Sequence, residues 1–495
     1  MANLYNKAGL VNIPIGYSDG FLYNIKPTDN TLAFRFNRDS SATRVNKQGL
    51  IEEVSYFGPE LVTNGDFATD SDWILKPGSN ISGGSLNFDG TQTSTRNINQ
   101  SITSLDLTKI YKVTFTISNY TAGQVKVKIS NNASGKNKTA NGTYVQYLSG
   151  MTNTTLSITA SNGFAGSIDN VSVVEVLGDK PRIDYTDSLT SPSFLLEPQS
   201  TNLITHSEDF SSLNIRSNAV VTSNVIVSPS GLLDADEITF DGTSTGRVEE
   251  TIPATVGQSY TISLYLKNKD LSDKTQVWIG FSAAAQGSYV TITDEWQRYD
   301  ITTTANGTNE YPRVQFSGTG SLYAWGFQVE QLTYATSYIP TYGSTVTRVA
   351  ETCNGAGNAS TFNDSEGVLY VDYKIVNQVA SFPQIQLTDS SLQNQVSFYT
   401  YNNTLQFFIK SNNVNTILSS ISVSENVDYK FAISYSYAET SIFLNGVKQG
   451  SYLNKNMPSN LEKLNIITSD NVTKYKALAV FKEALTDAEL QQLTS

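Results

Sequence analysis

The stretch YKVTFTI at residues 111–117 alternates apolar and polar side chains without a break, and YTISLYL at 260–266 does so again. A period of two puts every second side chain on one face, the pattern of a strand with one face buried. Outward from these, QVKVKI (124–129), TLSITA (155–160), QVWIGF (276–281), RVQF (313–316) and YKFAISY (429–435) repeat it. The runs are short and are broken by Asn, Gly, Asp and Ser, which favour turns. Helical signals are sparse; the clearest is EALTDAELQQL (483–493), where Thr486 with Glu489 three residues on makes a capping box. The expected fold class is all-β, built of antiparallel β-sandwiches.

Composition bounds the function. A chain of 495 residues has room for about three domains of ~100–200 residues each. Charged residues make up only 16%, and the net charge is −12. No basic face is evident that would release counterions from a phosphate backbone, so nucleic acid is not an expected partner. Cys353 is the only cysteine and His206 the only histidine. That excludes a disulfide framework within the chain and leaves no basis for Ser-His-Asp or Cys-His catalysis. The opening MANLYNKAGLVNIPIGYSDG has no basic segment followed by an apolar one, and there is no apolar run of about 18 residues. Synthesis in a cytosol without membrane insertion is the expectation.

Two segments share landmarks in the same order. The first runs NGDF (64–67), NFDG (87–90), YKVTFTI (111–117) and DNVSVVEV (169–176). The second runs SEDF (207–210), TFDG (239–242), YTISLYL (260–266) and WGFQVEQ (325–331). Two sandwiches of one plan are expected.

Residues 194–352 open LLEPQSTNLITHSEDF and close YAWGFQVEQLTYATSYIPTYGSTVTRVAE. With SATRVNKQGLIEEV (41–54) and PRIDY (181–185), this wording resembles the head-spike, head-fibre and tail-fibre proteins of tailed phages. The segment beginning NGDF and ending DNVSV resembles a carbohydrate-binding module. GVLYVDYKI (367–375), FAISYSYAETSIFLNGVKQGSY (431–452) and ALAVFKEALTDAELQQLTS (477–495) resemble the laminin-G/concanavalin-like lectin sandwich. The resemblance implies a jelly-roll or carbohydrate-binding-module plan for the first two sandwiches and a concanavalin-like plan for the third. The implied organisation is an extended virion-attachment arm (1–60), an inserted carbohydrate-binding-module-like sandwich (61–178), a head-spike-like sandwich (179–352) and a concanavalin-like sandwich (353–495). In the arm, LAFRF (32–36) is expected either to pair with a partner's sheet or to pack on the chain's own second sandwich.

The function implied is that of a non-enzymatic virion structural protein. It would project from head or tail at the surface of the phage particle and adhere to host or mucus glycans. The alternative is a purely architectural capsid-decoration or fibre protein that binds no sugar, and a glycan-cleaving depolymerase is a distant third. Such proteins imply a homo-oligomer, a trimer first and a dimer second, bound to other virion proteins through the arm.

Candidate sugar-binding residues follow from strand parity. A pyranose binds by stacking its apolar face on an aromatic ring ringed by polar groups. Val277, Ile279 and Phe281 alternate to one face and put Trp278 on the other. In VSFYTY (396–401), Tyr399 and Tyr401 fall opposite Val396 and Phe398, followed by Asn402. An outward tryptophan covered by a neighbouring subunit, or a plain surface tyrosine pair, is the competing explanation. Trp325 is expected in the core, Trp296 in the core or at its rim, and Trp73 at a sandwich edge. No cofactor is required, but the carbohydrate-binding-module resemblance implies a structural calcium near the first and last strands, at Asp66 and Asp169. In the second sandwich Ala324-Trp325 stands near the place of Asp169-Asn170, so a site there is not expected. Paired acidic residues alternating on one strand, as concanavalin-like glycosidases carry them, are missing from the third unit.

Overall fold

The computed structural model describes residues 2–18, 20–178, 180–216, 218–283, 285–377, 385–453, 456–468 and 471–495. The fold is all-β, with the helix Asp487–Thr494 closing the chain. The chain divides into two compact units, Met1–Val54 with Gly178–Gln199 and Arg348–Ser495, and Ser55–Leu177 with Ser200–Thr347.

The first unit is a sandwich of an eight-stranded and a nine-stranded sheet. The strand Glu366–Ile375 lies in the middle of the first sheet, between Val427–Ser436 and Thr473–Phe481. In the second, Gln395–Tyr401 pairs with Thr404–Ser411 and Ile385–Thr388. The sheets meet through rings, with Phe398 edge-on to Phe431 at 4.4 Å. Asn445 and Gly446, both at positive φ, make the tight turn expected between Thr440–Leu444 and Val447–Tyr452. The capping box also forms: Thr486 Oγ1 accepts from the Glu489 amide. Leu490 and Leu493 of that helix are buried on the outer face of the eight-stranded sheet.

The N-terminal segment, expected as a projecting arm, is built into this sandwich. Ala8–Asn12 runs antiparallel to Thr473–Phe481, and Leu10 is fully buried. Phe34–Asn37, which contains most of LAFRF, pairs with Thr352–Ala356 of the other sheet. The strand therefore pairs with the chain's own third sandwich, neither with a partner's sheet nor with the second sandwich. The alternation Phe34, Phe36 inward and Arg35, Asn37 outward supplied a face that needed burial, and this core supplies it. Arg182–Asp184 and Ser193–Leu196 also join the eight-stranded sheet. The chain thus leaves this unit at Val54, returns at Gly178, leaves again after Gln199 and returns at Arg348.

At these crossings the unit buries a charge cluster. Arg182 Nε donates to Glu351 Oε1 at 2.9 Å, and its other nitrogens reach Glu351 Oε2 and, at 2.7 Å, Glu197 Oε2. Arg38 pairs with Glu351 at 2.7 Å and Arg348 with Glu197 at 3.0 Å. Backbone carbonyls of Ser40, Thr43 and Pro198 accept further guanidinium N–H groups. Burial alone would lower the Arg182 pKa, but attraction to Glu351 and Glu197 raises it instead. Buried charges persist only when paired and hydrogen-bonded in this way.

The second unit holds two sandwiches that share a strand order over five strands of one sheet and four of the other; Tyr56–Glu60 in the first and Asn214–Arg216 in the second are additional edge strands of these sheets. In the first, one sheet runs Ser79–Ile81, Leu86–Asp89, Ala165–Gly178, Tyr111–Ala122, Gly142–Leu148. Its counterpart runs Ala219–Val227, Leu233–Asp241, Thr319–Glu330, Ser259–Asn268, Gln297–Thr304. The facing sheets correspond likewise, Arg96–Ser101 matching Gly246–Glu249 and Val125–Ile129 matching Val277–Gly280. Side chains repeat the plan. Phe88 meets Phe164 edge-on at 5.4 Å as Phe240 meets Phe316 at 5.5 Å. The Tyr111 hydroxyl accepts the Asp106 amide at 2.8 Å, and the Tyr260 hydroxyl the Thr255 amide at 2.9 Å.

Candidate functional site

The sequence candidates lie in separate places. Trp278 takes the opposite face from buried Val277 and Ile279, as parity requires, yet it is only 9% exposed. Tyr289 on the neighbouring strand meets it edge-on at 5.1 Å, and Gly287 lies against its ring. The expected open platform is covered by its own sheet, and Tyr289, 53% exposed, is the accessible ring there. Parity assigns a face but does not reveal what covers it. In the first unit Tyr399 and Tyr401 share the outward face, with Tyr401 exposed and Tyr399 half-buried. Tyr399 donates to Gln406 Oε1 at 2.5 Å. Asn402 and Asn403, at φ 45° and 58°, form the two-residue turn of this hairpin, a conformation that asparagine tolerates well.

Asp66 and Asp169 lie on two segments that a backbone bond brings together, from the Val171 amide to the Gly65 carbonyl at 2.8 Å. Each carboxylate accepts a nearby backbone amide, Asp66 from Ala68 at 3.3 Å and Asp169 from Asn170 at 2.6 Å. Among the described residues no group of three or more Asp, Glu, His or Cys gathers as a metal set. The second sandwich repeats the corner, with the Phe327 amide bonded to the Ser207 carbonyl at 2.7 Å. Asn170 (φ 51°) and Gly326 (φ 69°) occupy the same bulge, so Trp325, rather than Ala324, stands where Asp169 does. Trp325 packs at 4.5 Å on Tyr338, filling that corner with rings.

The site that the sequence did not disclose is a cleft of about 420 Å³ between the two sandwiches of the second unit. One wall carries Lys126 and Lys136; the other carries His206, Asp209, Asp236 and Tyr342. Tyr342 is stacked on Tyr147 of the first sandwich at 5.6 Å. Lys138, buried beside the cleft, reaches Asn224 Oδ1 at 3.4 Å and lies 4.8 Å from the Tyr144 ring centroid. Burial lowers its ammonium to about 8.

The carboxylates are held from within. Asp209 accepts from the Ser211 and Ser212 hydroxyls, at 2.5 and 2.6 Å. Despite burial, Lys136 and these hydroxyls keep its pKa below the usual range. Asp236 accepts the Asn224 amide at 2.9 Å and the Phe210 amide at 2.8 Å; burial nevertheless pushes it up to about 6. Glu208 accepts from the Tyr338 and Tyr342 hydroxyls and is raised by burial and by the charge of Asp234. Burial and the charge of Lys136 hold the His206 pKa below the ordinary imidazole value. Two carboxylates with opposed shifts in one cleft are the signature of acid–base pairs. Here, however, each Asp236 oxygen already faces a backbone N–H, which leaves it poorly placed to hand a proton to a substrate. What the arrangement offers is fixed acceptors beside an uncommitted donor. The sequence signals were the KNK run (136–138) and the DADE run (234–237), which mean little until the two sandwiches are seen to face each other.

The chain is thus an all-β protein of paired and interleaved sandwiches. No protein-family model matches it. No curated protein matches it either. Domain 4 of the extracellular arabinanase AbnA from Geobacillus stearothermophilus, solved with arabinotriose, is similar at TM-score 0.26 and 11% identity, over 33% of this chain and 81% of that one. The tandem CBM22 domains of Paenibacillus barcinonensis Xyn10C give 0.21 and 12%, over 56% and 98%. The ANX2 ectodomain from Arabidopsis thaliana gives 0.19 and 11%, over 55% and 94%. These similarities are of fold alone.

Proposed function

We propose that this chain is a non-catalytic structural protein of a tailed-phage particle, a head or tail fibre or spike that adheres to glycans of the host or of mucus. The observation that carries the reading is where the phage-like wording meets. PRIDY supplies Arg182, LLEPQSTNL supplies Glu197, and TRVAE supplies Arg348 and Glu351 to one buried cluster. SATR joins them through the Thr43 carbonyl and through Arg44, which donates to the Ile183 carbonyl at 3.2 Å. Stretches scattered over some three hundred residues are explained together as the parts of one joint, a strong reason to transfer the resemblance as a whole. Glycan adhesion is favoured by uncharged, amide- and hydroxyl-rich surfaces such as the Tyr399–Tyr401 hairpin. It gains from many copies, since multivalency raises avidity by ~10²–10⁴ where geometry permits. A homotrimer is the assembly proposed, with a dimer second.

The test is antibody-gold labelling of intact virions under the electron microscope. Label over capsids makes the protein a head fibre; label at the tail tip makes it a receptor-binding protein. Absence of label from every virion sinks the structural reading. Release of reducing ends from capsular polysaccharide would instead support the depolymerase alternative.

A further inference from the structure

Resting on the glycan-adhesion reading, we propose that the cleft between the two sandwiches of the second unit is a saccharide subsite for neutral, hydroxyl-rich sugars. The argument starts with size. About 420 Å³ falls in the range of ~300–1,000 Å³ that small ligands occupy. Charge then selects the class. Lys126 and Lys136 face Asp209 and Asp236, so an anion attracted to the ammonium groups meets the carboxylates, and a cation meets the reverse. A neutral polyol uses both signs at once, because each hydroxyl donates and accepts.

Preorganisation is the second support. The side chains of Asp209 and Asp236 are fixed by their serine and backbone partners before any ligand arrives; Asp209 Oδ2 and both Asp236 oxygens retain a further lone pair, whereas Asp209 Oδ1 already accepts the Ser211 amide and hydroxyl. An uncommitted donor stands opposite them, since Lys136 Nζ makes no hydrogen bond or ion pair among the described residues; the Thr205 hydroxyl gives its proton to Glu250, so His206 Nδ1 donates to Thr205 Oγ1 at 3.0 Å, and in the neutral ring Nε2 is an acceptor. Tyr342 supplies an aromatic wall whose orientation is fixed by Tyr147 and by its hydroxyl bond to Glu208. Rigid acceptors, an open donor and one braced ring are the elements that sugar recognition needs.

Saturation-transfer NMR on the full chain decides the matter. The probes are maltotriose, cellotriose, mannotriose and chitotriose at millimolar concentration, with trigalacturonate as the acidic comparator. The wild type is expected to bind at least one neutral trisaccharide and to ignore trigalacturonate. Lys136→Ala and Asp209→Asn are expected to weaken that binding tenfold or more; Lys136 lies on a half-exposed loop, so its removal leaves the fold intact. Binding that survives both substitutions overturns the cleft while sparing glycan adhesion. A preference for trigalacturonate overturns the neutral class. No binding of any probe overturns both the cleft and the adhesion reading.

Discussion

Arg182 and Glu351 stand 169 residues apart in the chain, yet they form a two-pronged ion pair with neither side chain exposed to water. The same carboxylate accepts from Arg38 and from the Glu197 backbone amide at 2.8 Å. Removing it takes from the buried Arg38 guanidinium the carboxylate at 2.7 Å and leaves Arg182 with Glu197 alone. Glu351→Ala is expected to destabilise the first unit by about 3–5 kcal/mol, the cost of leaving buried charge unpaired. Urea denaturation of the full chain measures it. The paired substitution Arg182→Met with Glu351→Leu should cost less than the sum of the two single changes, because neither partner is then left alone. Strict additivity would mean that the two residues are energetically independent and would overturn the account.

Residues 1–54 provide a second test. Leu10 lies in the core shared by both sheets, and the Tyr475 hydroxyl donates to Asn12 Oδ1 at 2.8 Å. Leu10→Ala is expected to cost about 2–5 kcal/mol, the usual range for a leucine emptied from a core, and deleting residues 1–12 more than that. Thermal unfolding followed by near-ultraviolet circular dichroism reports it. An attachment arm independent of the sandwich would show no change.

The NGDF glycine carries a steric prediction. A Cβ on Gly65 would sit 2.0 Å from the Val171 carbonyl oxygen, far inside contact distance. Gly65→Ala must open the turn, at about 1–3 kcal/mol as overpacking costs elsewhere. The equivalent residue of the second sandwich, Ser207, accommodates a side chain whose hydroxyl is bonded to Tyr338 at 2.6 Å. Ser207→Ala should therefore cost about 1–3 kcal/mol by a different route, since it relieves no clash but leaves the buried Thr341 amide and Tyr338 hydroxyl without this partner. Denaturant midpoints of the two variants measure the two costs; an unshifted midpoint in either would overturn its account.

Much of this fold was legible from period-two alternation, because each sandwich has one buried face per strand and the alternation records it. The repeat was legible too, since FDG (88–90 and 240–242) and the runs that open with Tyr111 and Tyr260 recur in the same order. What the sequence concealed was long-range partnership. LAFRF announced a strand but not its neighbour, since alternation says which face is buried and nothing about against what. Trp278 shows the same limit: its face was right, and its cover, Tyr289 and Gly287, comes from another strand. The cleft was hidden because its lysines and its carboxylates belong to different sandwiches.

Acidity supplies the last prediction. Asp236 ordinarily titrates near 4, but burial raises it to about 6 in the fold. Between those values the folded protein keeps a proton that the unfolded chain has released, so stability falls as pH rises through the window and levels off above it. Glu208 and Asp234 are shifted upward as well and steepen the fall. Lys138 acts at the other end: with its folded value lowered to about 8, stability recovers as pH climbs from there towards the ordinary lysine range. The second unit should therefore be least stable between about pH 7 and pH 8. Asp236→Asn removes one ionisation, and its stability should change by roughly 1–3 kcal/mol less than that of the wild type between pH 5 and pH 7.5. Calorimetric scans of both proteins across that range give the two slopes. Parallel curves would mean that Asp236 ionises as freely in the fold as in water, against the buried position that its two amide partners give it.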